Sequence, residues 1–246
     1  MMKRIWITGL LLTTCMVFVG SASDKDLGLH SDGGSWKFYA DKSKKDDLPK
    51  VLLIGDSIMN GYRGRVIASL KGKANVDCWL TPLHLASKAL HHDLMRVLEQ
   101  GPYDVVHFNI GLHGWTLGRI KDGQYEPLMR SYLDILRAHS ATTRIVWAST
   151  TQITVRGKPT ELDPVHNKTI TKRNVIAAKV MAEYGIPVND LYGIFIDKLN
   201  LARGDKYHWK GSGYALMTKN VVRYIEDALV DKPIVLYVAP NGLDAK

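Results

Sequence analysis

The tightest constraint on this chain's fold is the order of its apolar segments, which switch between strand-like runs and helix-like stripes from Val51 to Leu229. Val51–Gly55 is a short, unbroken apolar run that opens the series. A helical stretch over 60–70 follows, then a strand at Asn75–Leu80, then a helix with Leu90, Leu94, Val97 and Leu98 on one face, halted by Gly101-Pro102. Asp104–Ile110, Arg144–Ser149 and Ile186–Leu191 read as further strands. Leu128–Ala138, Ile170–Tyr184 and a last segment carrying Val221, Val222, Ile225 and Leu229 read as helices. Strict alternation of this kind predicts a parallel sheet covered by helices on both faces, with any ligand bound beyond the carboxyl ends of the strands.

The 246 residues, 46% of them hydrophobic, suffice for one domain with a substantial core. Domain organisation is predicted as a signal peptide over 1–22, a polar lead-in over 23–48 and the domain proper over 49–246. The leader has a charged start at Lys3-Arg4, an apolar run from Ile5 to Val19 and a small-residue exit at Gly20-Ser21-Ala22-Ser23. That run falls short of the ~20 residues a membrane span needs, so an exported protein, periplasmic or secreted, is expected. A lipoprotein anchored through Cys15 is the lesser alternative, because Thr14 precedes the cysteine where a small residue is usual. Loss of the leader would leave Cys78 as the sole cysteine, so the mature domain would rest on its core without an internal disulfide.

The formal charge is +9, and without residues 1–22, which hold Lys3 and Arg4 and no acid, it is +7. An acidic partner is compatible with that balance, although Lys42-Ser43-Lys44-Lys45 beside Asp46-Asp47 has the character of a solvated linker. No nucleic-acid-binding motif is present, and nucleic acid is not expected as a partner. His84, His91, His92 and His107 lack metal-ligand spacing, so neither a metal nor another cofactor is expected. The sequence leaves the oligomeric state open.

Two short segments carry the chemistry. Gly55-Asp56-Ser57 follows the first strand directly, which places the Ser57 hydroxyl at the carboxyl edge of the sheet near a helix start. The alternative is a simple turn and helix cap. Asp205-Lys206-Tyr207-His208 lies after the last strand, where a carboxylate three residues ahead of an imidazole can hold one ring nitrogen and leave the other for Ser57. A serine hydroxyl needs such a base, and the base needs a partner that fixes its tautomer.

Gly55-Asp56-Ser57-Ile58 and Asp205-x-x-His208 together resemble the first and last motif blocks of SGNH (GDSL-like) hydrolases over about residues 50–230. The resemblance implies a flavodoxin-like three-layer α/β/α sandwich with a mainly parallel five-stranded sheet, and a carboxylic ester hydrolase working through Ser57, His208 and Asp205. It extends to Asn109-Ile110-Gly111-Leu112-His113-Gly114, where His113 stands in place of the family's oxyanion-hole asparagine. The family's glycine after the second strand is also missing, since no glycine occurs between Gly72 and Gly101. The Ser57 N–H, the His113 ring and the Thr81–Ser87 segment are the donors expected to replace that hole.

Asn109, Gly111 and Asp56 are further candidates for the oxyanion or substrate site, Asn109 by orienting His113 or the Ser57 loop. Trp115, with Tyr62 and Trp209, is a candidate aromatic wall for a sugar ring, and Arg156 a candidate partner for a substrate carboxylate. Export and positive charge favour acyl or methyl esters on carbohydrate, possibly acidic. The alternatives are a lipid or lysophospholipid esterase of the same fold, and a glycan-binding or non-esterase protein with a remodelled oxyanion hole.

Overall fold

A computed structural model describes residues 36–116 and 118–230. The predicted signal peptide, with Cys15, lies outside the described residues. At the centre runs β2 (Lys50–Gly55), and its residues Val51, Leu52, Leu53 and Ile54 are each 0% exposed. An unbroken apolar run is what a strand covered on both faces requires, because successive side chains point to opposite sides. β3 (Asn75–Leu80) and β4 (Val105–Phe108) flank it in parallel, β5 (Arg144–Ala148) pairs with β4, and β8 (Val188–Asn189) pairs with β5.

Five helices cover this sheet: α1 (Ser57–Leu70), α2 (Leu90–Leu98), α3 (Tyr125–His139), α4 (Pro164–Glu183) and α5 (Gly211–Leu229). Val51 and Leu53 pack with α1 and α5, through residues such as Val66, Leu70, Val221 and Ile225. Leu52 and Ile54 pack with α2, α3 and α4, through Leu94, Leu133 and Val180 among others. The parallel strands lie in the order β3-β2-β4-β5-β8, the flavodoxin-like order, with its topological switch between β2 and β4. The α/β/α sandwich expected from the sequence is the fold observed.

Among the described residues the sheet has six strands rather than five. β1 (Phe38–Tyr39) comes from the segment read as lead-in and pairs antiparallel with β3, Phe38 opposite Trp79. Its apolar island is followed by side chains that fasten the border to the sheet. The Asp41 carboxylate accepts from Val76 N at 3.0 Å, and the Asn75 amide donates to the carbonyls of Lys45 and Leu48. A second addition is the hairpin of β6 (Thr154–Val155) and β7 (Lys158–Leu162), which turns at Arg156-Gly157, with Gly157 at φ 78. Such two- to five-residue strands are too short to leave a clear periodicity.

His107, one of the histidines weighed for metal, is a core residue. It is 0% exposed, its Nε2 lies 3.1 Å from the Asn189 side-chain nitrogen, and burial pushes its imidazole down to about 4. Cys78 is likewise buried and free, its thiol pushed up to about 12 by burial.

Two glycines of α1 show how the helix is docked. A Cβ on Gly61 would meet the Tyr214 ring of α5 at 2.1 Å, whereas one on Gly64 would meet nothing within 4 Å. Alanine normally stabilises a helix interior by about 1 kcal/mol relative to glycine, so Gly64→Ala is expected to raise the urea midpoint. Gly61→Ala is expected to lower it, overpacking costing about 1–3 kcal/mol. Equilibrium urea unfolding of the two variants checks the contrast.

Candidate functional site

The β2–α1 junction holds the first half of the site. Asp56 is the N-cap of α1, its Oδ1 accepting from Ile58 N at 2.9 Å, so the helix begins at Ser57, earlier than the periodic stretch suggests. Ser57 thereby lies in the first helical turn, where backbone N–H groups have no helical acceptor and favour negative charge. Its hydroxyl is half-buried, 2.9 Å from His208 Nε2.

The second half lies ahead of α5. His208 Nδ1 is 2.8 Å from Asp205 Oδ2, while Asp205 Oδ1 accepts from Tyr207 N at 3.1 Å and His208 N at 2.9 Å. Partial burial opposes ionisation of Asp205, but the His208 backbone and ring donors outweigh it and hold the carboxyl below its ordinary value. It is therefore an anion at neutral pH, which places a proton on Nδ1 and leaves Nε2 to accept from Ser57.

This loop is held from outside by the β6–β7 hairpin. Thr154 N donates to Lys206 O and Gly157 N to Gly204 O, each at 2.9 Å. Lys206 has φ 91, the one left-handed non-glycine residue among those described, and it sits between the two acidic and imidazole partners. Such a conformation costs on the order of 1–3 kcal/mol and persists only when its surroundings impose it.

The third block is a scaffold around a 3₁₀ turn, Leu112–Gly114. Asn109 Nδ2 donates to Ala148 O at 2.6 Å, joining the ends of β4 and β5. A side chain at Gly111 would collide with Thr150, whose Oγ1 lies 1.6 Å from the Cβ position, so only glycine permits that approach. Arg119 donates to His113 O at 2.7 Å and Arg173 to Gly114 O. The His113 ring meets Trp36 edge-on at 5.4 Å. Burial first, then the charges of Arg119, His84 and His208, push this imidazole down to about 4, so it is neutral at pH 7 and carries one N–H.

Other sequence candidates fall in different places. In the Thr81–Ser87 segment the amides of Thr81, Leu83, His84 and Ser87 are spent within the turn or on Gly55 O. Those of Leu85 and Ala86 are the candidates left. Tyr62 and Trp209 are core residues, 1% and 2% exposed, with Trp209 stacked on Phe195 at 3.7 Å. They do not form an aromatic wall. Trp115 is half-buried and faces Tyr207 at 5.8 Å, so Tyr207, unremarked in the sequence, is its neighbour. Arg156 is exposed at the hairpin tip. Asp163 and His166 repeat the Asp-x-x-His spacing, a signal present in the sequence ahead of the predicted helix Ile170–Tyr184, and the observed helix starts earlier, at Pro164.

Asp56 is 4% exposed, and burial pushes its carboxyl up to about 6, against the opposing Ile58 N–H and the nearby His208. An acid raised in the folded state binds its proton more tightly there, so its contribution to stability is whole below about pH 4 and is lost as the pH rises through about 6. Asparagine caps equally well without a charge. Asp56→Asn is expected to be more stable than the parent at pH 8, by up to about 3 kcal/mol at 1.36 kcal/mol per unit, with the gap closing below pH 4. Urea unfolding across that range measures it.

No family model and no curated protein matches this chain in sequence. Solved structures do. An acetyl xylan esterase from Geobacillus stearothermophilus aligns with a TM-score of 0.58 and 16% identity over 78% of this chain and 97% of its own. A protein assigned as an SGNH hydrolase, from Slackia heliotrinireducens, aligns with a TM-score of 0.57 and 17% identity over 73% and 100%. An alpha/beta hydrolase enzyme from the metagenome of Lake Arreo, Spain, aligns with a TM-score of 0.59 and 14% identity over 71% and 94%. With its parallel order, its switch between β2 and β4 and its serine at the end of β2, the chain has the fold of the SGNH hydrolases.

Proposed function

We propose that this protein is a serine esterase that removes acyl or methyl groups from carbohydrate outside the cytoplasm. The observation that carries the reading is the continuous chain Ser57 Oγ, His208 Nε2, His208 Nδ1, Asp205 Oδ2, with spacings of 2.9 and 2.8 Å. Solved structures sharing the fold include acetyl xylan esterases, which supports a carbohydrate ester as the substrate class. The leader predicted at 1–22 and the positive balance support export and an acidic glycan. No helix of the described residues is long and apolar enough to cross a membrane.

Ser57 Oγ attacks the ester carbonyl carbon as its proton passes to His208 Nε2. The tetrahedral oxyanion forms beside the Ser57 N–H and the neutral His113 ring, which takes the place of the usual asparagine. Collapse breaks the bond to the alcohol, which leaves with the proton from His208, and Ser57 retains the acyl group. Water then attacks the acyl-enzyme, giving one proton to His208, and the acid departs as its bond to Ser57 Oγ breaks and His208 passes that proton to Oγ. Asp205 stays ionised throughout and stabilises the imidazolium.

Release of acetate and methanol from a panel of acetylated and methyl-esterified glycans by residues 24–246 tests this directly. Release is expected and should fall more than about a thousandfold in Ser57→Ala. A fluorophosphonate should label Ser57 covalently. Absence of both release and labelling would refute the esterase. His113→Ala should lower kcat by about 100–1000-fold, the cost of one oxyanion donor, and His113→Asn should recover most of it.

A further inference from the structure

The structure contains a second Asp–His pair built like the first. Asp163 Oδ1 accepts from Val165 N at 3.1 Å and His166 N at 3.0 Å, and its Oδ2 lies 2.8 Å from His166 Nδ1. At Asp205 the corresponding distances are 3.1, 2.9 and 2.8 Å. Capping α4 accounts for Oδ1 alone. The other oxygen is committed to His166 and, at 3.6 Å, to Lys206 Nζ of the triad loop. The His166 approach is close but poorly aligned, an ion-pair distance without a clean hydrogen-bond angle. All three side chains are partly buried.

The pair is also joined to the triad through aromatic rings. His166 meets Trp115 at 4.3 Å with the planes near perpendicular, Trp115 meets Tyr207 at 5.8 Å, and Tyr207 meets the His208 ring at 6.2 Å. Trp115 and Tyr207 are both half-buried, so each keeps some surface open to a ligand. No seryl, threonyl or cysteinyl group approaches His166 as Ser57 approaches His208, among the hydrogen bonds of the described residues. The second pair therefore lacks a nucleophile, and its chemistry is that of binding. The Asp163 carboxylate 2.8 Å from Nδ1 attracts a proton to that nitrogen, which leaves Nε2 as the acceptor, while the neighbouring rings offer apolar area.

We propose that Asp163, His166 and Trp115 form a substrate-binding element next to the triad, which takes a hydroxyl-bearing ring of the esterified carbohydrate. A ring hydroxyl donates to His166 Nε2 while the ring's C–H surface lies against the exposed part of Trp115. This deepens the esterase reading and rests on it for the identity of the substrate, but the element binds whether or not Ser57 is active.

Two measurements separate the claims. In the first, kcat/KM is measured for an acetylated xylo-oligosaccharide and for p-nitrophenyl acetate, in the parent and in His166→Ala. The ratio of the two constants should shift about tenfold against the oligosaccharide, the worth of one hydrogen bond to a well-held partner. His166→Gln, which keeps an acceptor, should restore part of it. A ratio that does not move overturns the proposal, because a purely structural role at His166 would depress both substrates together. In the second, the same oligosaccharide is titrated calorimetrically into Ser57→Ala and into the Ser57→Ala, His166→Ala double variant. Weaker binding in the double variant supports the element even where no ester is cleaved, and equal or absent binding in both overturns it.

Discussion

The site depends on the topological switch beside β2. The chain leaves β2 through α1 on one face of the sheet, and leaves β4 through the 3₁₀ turn and α3 on the other. Because the two connections diverge, the carboxyl ends of these neighbouring strands form the switch point, where open α/β sheets bind their ligands. Ser57 and the His113 turn follow β2 and β4 at that point. Asp56 fixes the position of Ser57 by capping α1, with the bond to Ile58 N holding the helix end in place.

The other half of the triad is not set by a strand. Asp205 and His208 sit on a loop whose backbone passes through a left-handed lysine and is pinned at Gly204 and Lys206 by the β6–β7 hairpin. Each carboxylate oxygen of Asp205 has its own task, one satisfying backbone N–H groups and one orienting the ring. Preorganisation of this kind lets the base keep its tautomer without reorganising during reaction. At Asp163 the backbone contacts of one oxygen recur, with the other at ion-pair distance from His166 Nδ1, so this much follows locally from the Asp-x-x-His spacing.

Electrostatics around the site is governed by burial. Asp56 is raised and His107 and His113 are lowered for one cause, the loss of water around the charged form. For His113 the neighbouring Arg119, His84 and His208 act in the same direction, so the ring is neutral at pH 7. Two arginines clamp successive carbonyls of that turn, Arg119 on His113 and Arg173 on Gly114, which orients the ring without needing a bond to the ring itself.

The five parallel strands and the five helices were legible in sequence, because apolar periodicity depends only on which faces are buried. So were Ser57, Asp205 and His208, whose spacings are local and whose placement after strands follows from the alternation. β1 and the β6–β7 hairpin were not, being too short to impose a period. The misassigned aromatics have a related cause: Tyr62 and Trp209 look like Trp115 in one dimension, and only packing against Tyr214, Phe195 and the sheet separates core rings from rim rings. What the chain by itself determined is the order of layers and the chemistry at each strand end. The pairing of His208 with Ser57 could be read from the two motifs, whereas the seat of His166 against Trp115 and of Trp209 in the core was decided by the tertiary structure, since side-chain contacts between distant segments leave no trace in local sequence.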